Sequence, residues 1–420
     1  MREMKDSGIE WIGKVPVEWK IDNPQYHFSQ RKDRAKQGMV QLTASQKYGV
    51  ITQTEYMERT GANIVTVQKD FDILKLVCAG DFVIHMRSFQ GGLEYSEKTG
   101  SISSAYVMLI PSNTIREPRY YKWFFKSSNY IDALSSTSNL VRDGQAMRWS
   151  NFIQLPILFP PAEEQQRIAD FLDAKCAEID ALTADIQTQI DTLEQYKRSV
   201  ITETVTKGLN PDAEMKDSGI EWVGKMPLAW DAVPNTYLMY KVKNICPVYN
   251  GEDILSLTTN GVIIRDLNGG GKMPTSFDGY QKVTPGNLLM CLFDIDVTPR
   301  CIGLVKNFGL TSPAYSQFVM RTGAYAPYYY YYYLMVDYTK ELLHMAKNLR
   351  HSLTEDQLGA IKAPKPPYDE QIQIAEYLDN KCSKIGRTIA DKNNQLAILE
   401  EYKKSLIFEY VTGKKEVPTS

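Results

Sequence analysis

A long segment of this chain occurs twice. Residues 160–206 and 366–412 align without a gap at a separation of 206 residues, and 23 of their 47 positions are identical. A shorter segment, residues 4–19, recurs as residues 215–230 with 12 of 16 positions identical. A duplication this close indicates two copies of one structural unit, so the fold and the function have to be explained from the pair.

The repeats divide the chain into a lead-in, a variable region and a long helix, each present twice. The two variable regions, residues 20–159 and 231–365, differ in sequence almost throughout. We therefore predict four segments: residues 1–159 (lead-in and first variable region), 160–207 (first repeated helix), 208–365 (lead-in and second variable region) and 366–420 (second repeated helix and C-terminal tail).

Both variable regions predict mixed α/β (α+β) domains. In each, a glycine turn at Gly80 or Gly286 leads into a short apolar strand, and later a proline, Pro118 or Pro327, opens a helix rich in aromatic residues. Strands and helices do not alternate as they do in a doubly wound sheet. The second of these helices contains six consecutive tyrosines, residues 328–333. Such a run suits base stacking, but a helix displays it on all sides, so at least half must pack internally.

The repeated helices show a seven-residue apolar spacing, which is typical of a coiled coil. The simplest partner for each helix is its own repeat, and we predict that the two pair antiparallel. Lys392 interrupts the second series. Apolar residues beside the seam, such as Phe171 and Ile190, are expected to need cover from another protein. The predicted seam residues are Leu172, Ile179, Ile186, Leu193, Val200, Leu378, Ile385, Leu399 and Leu406.

Composition and motifs exclude several classes of protein. The first residues lack the apolar core of a signal peptide and no segment is apolar enough to span a membrane, which predicts a cytoplasmic protein. Six cysteines without Cys-x-x-Cys spacing indicate free thiols, and four scattered histidines do not suggest a metal site. The segment from Asn268 to Lys272 lacks the frame of a phosphate-binding loop. We therefore predict a non-catalytic protein without a metal or cofactor of its own.

Three repeated motifs resemble one family. They are the lead-in Asp-Ser-Gly-Ile-Glu-Trp-Ile-Gly-x-x-Pro-x-x-Trp, the helix start Pro-Pro-x-x-Glu-Gln-x-x-Ile-Ala-x-x-Leu-Asp, and the helix end Tyr-Lys-Arg/Lys-Ser. Arranged twice around two variable regions, they resemble the specificity subunit of a type I restriction-modification system. The resemblance covers essentially the whole chain.

The resemblance implies that each variable region is a target-recognition domain reading one half of a bipartite DNA site. The repeated helices would space the two domains and bind two modification subunits, which methylate adenine with S-adenosylmethionine. Two restriction subunits, which use ATP and Mg²⁺, would complete the complex. Because the two variable regions differ, the half-sites should differ as well, which makes the double-stranded DNA site asymmetric.

Base recognition needs polar and basic side chains on loops that can enter a groove. The net charge of −2 conceals a net +4 over residues 1–159, with 20 Lys and Arg against 16 Asp and Glu, which permits DNA contact without requiring it. We expect two loop groups per domain, the second of each lying before a helix start at Ser150 or Thr354 that would also suit a phosphate. The candidates are Arg87, Ser88, Gln90, Arg142, Gln145, Arg148, Arg300, Lys306, Lys347, Asn348, Arg350 and His351.

Two other functions fit the same pattern. One is a two-headed scaffold whose variable regions bind proteins, with the coiled coil as a spacer. The other is the specificity part of a related restriction-modification type. Enrichment of a split DNA motif by the chain with its methyltransferase subunits distinguishes the first of these from a DNA-specificity subunit.

Overall fold

The structure is a computed structural model that describes residues 2–64, 73–85, 88–137, 147–268, 274–346 and 351–418. The chain forms two compact units. Unit 1 comprises residues 1–186 and 394–420, and unit 2 comprises residues 187–393. Each unit thus takes a part of both long helices. The four segments predicted from the repeats keep each long helix whole, so their boundaries differ from those of the two units. These segment boundaries stay a prediction.

Unit 1 is built from short strands and helices that precede the first long helix. The strands are β1 (Met4–Asp6), β2 (Lys14–Pro16), β3 (Lys20–Asp22), β4 (Phe28–Arg31), β5 (Leu42–Ser45), β6 (Gly49–Thr52), β7 (Lys75–Val77), β8 (Phe82–Ile84), β9 (Glu94–Tyr95), β10 (Gly100–Ile102), β11 (Val107–Pro111) and β12 (Ile157–Phe159). The helices are α1 (Gln53–Thr60), α2 (Ser88–Gly91), α3 (Pro118–Phe124), α4 (Ser128–Ser136), α5 (Trp149–Phe152) and α6 (Ala162–Lys207), which continues into unit 2.

Unit 2 repeats this plan. Its strands are β13 (Met215–Asp217), β14 (Lys225–Pro227), β15 (Asp231–Pro234), β16 (Met239–Val242), β17 (Leu255–Thr258), β18 (Gly261–Ile264), β19 (Gln281–Val283), β20 (Leu288–Met290), β21 (Ile302–Leu304), β22 (Gly309–Thr311), β23 (Ser316–Met320) and β24 (Lys362–Lys365). Its helices are α7 (Ala326–Tyr338), α8 (Glu355–Ala360) and α9 (Tyr368–Val411), which ends in unit 1.

The central sheet of each unit has four antiparallel strands in the same order. It is β4-β11-β8-β9 in unit 1 and β16-β23-β20-β21 in unit 2. The two glycine turns predicted from sequence stand before β8 and β20. Gly80 and Gly286 both have positive φ, and their N–H groups bond to Ser96 and Val305 at 2.8 and 2.9 Å. The mixed α/β fold class is confirmed, and two almost unrelated sequences share one scaffold.

The tyrosine-rich helix packs into the core of unit 2. Tyr328, Tyr329, Tyr331, Tyr332 and Tyr333 are buried, and only Tyr330 is half-buried. The Tyr328 hydroxyl donates to the carbonyl of Val205 at 3.0 Å, and the Tyr329 hydroxyl donates to that of Pro364 at 3.1 Å. This helix is therefore a packing element, and five of its six consecutive tyrosines are unavailable for stacking on bases.

The same two hydroxyl contacts recur in unit 1. Tyr120 of α3 donates to the carbonyl of Val411 at 2.7 Å, and Tyr121 donates to that of Leu158 at 3.1 Å. Tyr120 therefore joins the aromatic helix to the end of α9, as Tyr328 joins α7 to the end of α6. The repeated tyrosine pair connects the variable region of each unit to its helices.

Within each unit the segments of α6 and α9 run antiparallel, as predicted. In unit 1, the Phe171 ring packs against the Tyr410 ring at 4.4 Å and Asp180 accepts from Lys403 at 2.6 Å, so residue numbers rise along one helix and fall along the other. In unit 2, Gln189 accepts from Lys392 and Tyr196 carries Lys381 over its ring. Lys392, which interrupts the apolar series of α9, thus makes a polar contact with α6.

Most predicted seam residues are buried. Leu172, Ile179, Ile186, Leu378, Ile385 and Leu406 are buried, whereas Leu193, Val200 and Leu399 are partly buried. The expectation that Phe171 and Ile190 need cover from another protein is wrong, because Ile190 is buried and Phe171 packs against the core of unit 1. Apolar contacts within the chain already cover this part of the helices.

Candidate nucleic-acid interface

In unit 2 the loop that contains Arg300 lies beside the segment that contains His351. The loop between β20 and β21 is joined to the segment before α8 by two backbone hydrogen bonds, from Leu353 N–H to the Leu292 carbonyl at 2.8 Å and from Ile295 N–H to the His351 carbonyl at 3.3 Å. His351 Nδ1 also lies 2.9 Å from Asp296 Oδ2. Residues far apart in sequence therefore form one continuous surface at the end of the central sheet.

The contact between His351 and Asp296 has an electrostatic effect. The hydrogen bond with His351 lowers the pKa of the Asp296 carboxyl group, which therefore stays ionised. Asp294 and His351 both adopt positive φ angles, 48° and 43°, which are uncommon for residues other than glycine. Their backbones hold this loop in an unusual conformation, a feature that is concentrated at functional sites.

The two basic candidates that follow β20, Arg300 and Lys306, lie at opposite ends of β21 and differ in exposure. Lys306 is exposed in the connection between β21 and β22. Arg300 is half-buried, and its charge acts on Tyr330 and Tyr338 of α7. Burial raises the pKa of Tyr338 to about 12, and the charges of Arg300 and Arg198 oppose this rise. Lys306 is thus free to meet a phosphate, whereas Arg300 lies against the helix.

In unit 1 the described candidates are Ser88, Gln90 and Arg148. The prediction that Ser88 contacts DNA is wrong, because its side chain is fully buried and accepts a hydrogen bond from the His85 N–H at 2.9 Å. Its hydroxyl shapes the turn after β8 and is not available to a base. Gln90, two residues further along α2, is exposed, as is Arg148. The remaining candidates, Arg87, Arg142, Gln145, Lys347, Asn348 and Arg350, lie outside the described residues.

The two helix starts behind these loops differ from the expectation. Thr354 caps α8 as predicted, because its hydroxyl accepts from the Gln357 N–H at 3.2 Å and Gln357 Oε1 accepts from the Thr354 N–H at 2.8 Å. The cap expected at Ser150 is wrong: α5 begins at Trp149, and Asn151 accepts from the Arg148 N–H at 3.0 Å. The first turn of α8 carries Glu355 and Asp356, whose charges disfavour a phosphate at this helix end.

A charged and aromatic cleft of ≈ 660 Å³ in unit 1, lined by more cations than carboxylates, was not predicted from the sequence. It is bordered by the β5–β6 hairpin, and the cations of Lys47 and Arg59 lie over the Tyr48 ring at 5.3 and 5.2 Å. Lys98 and Arg59 share the carboxylate of Glu55 at 2.8 and 2.6 Å. The neighbouring residues Lys47 and Tyr48 were the only part of this cleft that the sequence could have indicated. Arg59 and Lys98 are brought to the cleft by the fold.

Within the described ranges, no helix is long and apolar enough to cross a membrane. The same ranges contain no cluster of three or more His, Cys, Asp or Glu side chains arranged to hold a metal ion.

A family model described as the type I restriction modification DNA specificity domain matches residues 27–192. The specificity subunit of the type I restriction enzyme MjaVIII from Methanocaldococcus jannaschii is 23% identical over 426 residues, which cover 96% of this chain and 94% of that protein. A putative MjaX specificity subunit from the same organism is 23% identical over 331 residues, covering 74% and 72% of the two chains.

A solved structure shares the fold. One chain of a structure described as showing complex assembly and conformational transition of the type I R-M system superposes with a TM-score of 0.67. The superposition covers 96% of this chain and 99% of that chain at 13% sequence identity. At this identity the likeness concerns the fold, which extends over nearly the whole length of both chains.

Proposed function

We propose that this chain is a specificity subunit of a type I restriction-modification system and that it reads an asymmetric two-part DNA site, with one half-site for each unit. Specificity subunits confer DNA specificity and leave methylation and cleavage to other subunits. One observation carries the proposal: the two units repeat the same strand order and the same tyrosine contacts, yet their variable regions differ almost throughout. The two units therefore have the same fold but different residues on the surfaces of their variable regions.

The loops at the ends of the central sheets are the proposed readers of each half-site. In unit 2 they include His351 and, toward the opposite end of β21, Lys306; in unit 1 they include Gln90 and Arg148. Amide and basic side chains recognise base edges in the major groove, and lysine and arginine also contact phosphates. The cleft around Tyr48 adds further cations in unit 1. Arg87, Arg142, Gln145, Lys347, Asn348 and Arg350 remain candidates on sequence grounds.

The paired helices are proposed to act as a spacer and as the place where partner subunits bind. Two modification subunits and two restriction subunits would assemble with the chain, and these would supply the adenine methylation and the ATP-dependent cleavage. The continuity of α6 and α9 over 46 and 44 residues supports the spacer role. Insertion of one helical turn should then change the gap between the half-sites and leave the recognised bases unaltered.

The central experiment is selection from random DNA. The chain is mixed with its methyltransferase subunits and a pool of random-sequence duplexes, and the retained DNA is sequenced. A split motif with two different halves supports the proposal. No enrichment in the presence of the methyltransferase subunits contradicts it, and favours a scaffold whose variable regions bind proteins.

An exchange of one variable region tests the assignment of half-sites. Replacement of residues 20–159 by the corresponding region of another family member should change one half of the motif and leave the other half intact. The matched control is replacement of residues 231–365, which should change the opposite half. A change of both halves by either exchange contradicts one reader for each half-site.

A further inference from the structure

Each variable region carries a β-hairpin of the same construction. The unit 1 hairpin is β5–β6, in which Ser45 pairs with Gly49, and the unit 2 hairpin is β17–β18, in which Thr258 pairs with Gly261. Every strand of the two hairpins has four residues, and the second strand of each begins with glycine. Neither hairpin contains any of the DNA-contacting candidates selected from the sequence.

Both hairpins are attached to their units through the same close backbone contact. The segment that enters the first strand passes Gly100 in unit 1 and Gly309 in unit 2. A Cβ atom at these glycines would lie only 2.4 Å from the carbonyl oxygen of Val40 and 2.5 Å from that of Asp253. The N–H of the residue after each glycine donates to the same carbonyl, at 2.9 and 2.8 Å. Because a side chain would prevent this approach, the two hairpins are fixed at their bases in the same way.

The hairpins also rest on matching apolar residues. Leu42 of the unit 1 hairpin packs in a small buried cluster with Val83 of β8, and Leu255 of the unit 2 hairpin packs in a corresponding cluster with Leu289 of β20. Burial of both leucines restrains the hairpins. A restrained hairpin loses little conformational entropy when its tip meets a partner.

The tips of the two hairpins differ in length and in chemistry. The unit 1 tip is Gln46-Lys47-Tyr48, in which Gln46 and Lys47 are exposed, and the unit 2 tip is Thr259-Asn260, in which both residues are exposed. Asn260 does not have the positive φ that asparagine tolerates in tight turns. Its side-chain amide makes no hydrogen bond with the described residues. The amide is therefore available to a ligand.

In unit 1 the available polar group is the cation of Lys47. Its Nζ lies 5.3 Å from the centroid of the Tyr48 ring, and the guanidinium of Arg59 lies over the same ring at 5.2 Å. Glu55 is paired with Arg59 and Lys98 at 2.6 and 2.8 Å, whereas Lys47 has no carboxylate partner within the described ranges. The tip thus carries a positive charge that no neighbouring carboxylate neutralises.

The unit 1 tip lies beside a proposed reader of the half-site. A Cβ atom at Gly91 would lie 2.6 Å from Cγ of Gln46, so Gln46 packs directly against the end of α2. The exposed Gln90 precedes Gly91 in this helix. The hairpin tip and the proposed reading loop after β8 therefore belong to one surface of unit 1.

We propose that the two hairpin tips read bases in the major groove of DNA, one tip in each half-site, with Lys47 and Asn260 as the specificity-determining side chains. A two-stranded β-ribbon fits into the major groove, where a lysine ammonium binds O6 and N7 of guanine and an asparagine amide pairs with N6 and N7 of adenine. The inference rests on the proposed function, because it assigns the reading of DNA to particular side chains.

The combination of like bases and unlike tips favours DNA over a protein partner. Two readers of different half-sites need to be held in the same way but to present different side chains. A protein that bound both hairpins in the same way would instead need the same side chains at both tips. The hairpins share their attachment and differ in the residues that a ligand would meet.

Selection from random duplex DNA by the chain with its methyltransferase subunits tests both side chains. Asn260→Ala should reduce the preference for adenine at one position of one half-site by about tenfold or more and leave the other half unchanged. Lys47→Ala should have the corresponding effect on guanine in the opposite half. Asn260→Asp should shift the preference from adenine toward cytosine, because a carboxylate accepts from the cytosine amino group.

Two control variants remove exposed side chains outside the hairpins. Asn380→Ala lies on α9 and Lys20→Ala on β3, and both should select the same motif as the unmodified chain. Unchanged thermal unfolding of every variant excludes a folding defect as the cause of an altered motif.

The outcomes separate this inference from the proposed function. A variant of Lys47 or Asn260 that keeps the unmodified preference at every position refutes the inference for its hairpin, while the proposed function stands. Equal weakening of binding to all sequences would indicate a phosphate contact only, and loss of methyltransferase subunits with an unchanged motif would indicate a protein-binding surface; either result also refutes it. An unmodified chain that selects no split motif contradicts the proposed function itself.

Discussion

Trp19 Nε1 donates a hydrogen bond to Glu164 Oε2 over 2.9 Å. The same contact recurs in unit 2, where Trp230 Nε1 donates to Glu370 Oε2 at 2.9 Å. The tryptophan ends the repeated lead-in, and the glutamate belongs to the repeated Pro-Pro-x-x-Glu-Gln helix start. This contact explains why the two motifs occur together, since each supplies one half of a partly buried hydrogen bond.

Replacement of Glu370 by alanine should lower the free energy of unfolding by about 1–3 kcal/mol, because the indole N–H of the buried Trp230 loses its charged acceptor. Urea unfolding followed by tryptophan fluorescence measures the change. The matched control is Asp369→Ala, which removes an exposed carboxylate one residue earlier in the helix. Equal effects of the two substitutions would show that helix-end charge, and not the indole contact, is the cause.

Tyr328→Phe and Tyr329→Phe should each lower the free energy of unfolding by about 0.5–1.5 kcal/mol, because each removes one buried hydroxyl contact to a backbone carbonyl. Tyr330→Phe is the control, since this half-buried tyrosine donates no hydrogen bond among the described residues. Thermal or urea unfolding compares the three variants. A larger effect at Tyr330 than at its neighbours would contradict the packing role assigned to this helix.

Leu406→Ala should cost about 2–5 kcal/mol of unfolding free energy, because it opens a cavity in the buried seam of unit 1. Lys403→Ala removes the ion pair with Asp180 at 2.6 Å, but both side chains are solvent-accessible, so the cost should be below about 1 kcal/mol. The Lys403 effect should also shrink as salt is added. A larger cost for Lys403 than for Leu406 would mean that charge, and not apolar packing, holds the helices together.

Lys306→Ala should weaken DNA binding of the assembled complex about equally for all sequences and reduce the slope of log affinity against log salt by about 1, as expected for a lost phosphate contact. Fluorescence anisotropy at several salt concentrations measures both quantities. Lys225→Ala is the control, because this lysine is also exposed but lies in the repeated lead-in. An unchanged salt slope for Lys306→Ala would remove this residue from the proposed interface.

The repeats predicted more of this fold than of its candidate site. Helix length, heptad spacing and the glycine turns before β8 and β20 depend on residues close in sequence, and these predictions agree with the structure. The helix start was placed correctly at Thr354 but two residues late in unit 1, where Arg148 precedes the helix. Helix starts depend on backbone geometry, which several neighbouring residues can satisfy.

The sequence by itself determined that the protein is built from two units of one mixed α/β scaffold joined to paired helices, because duplication and periodicity are properties of neighbouring residues. Only the tertiary structure decided which side chains are exposed and which distant residues meet. It buries Ser88, covers Ile190 and brings His351 to Asp296, residues that stand 55 positions apart. Burial and long-range contacts depend on how distant segments pack, and local sequence patterns do not specify that packing.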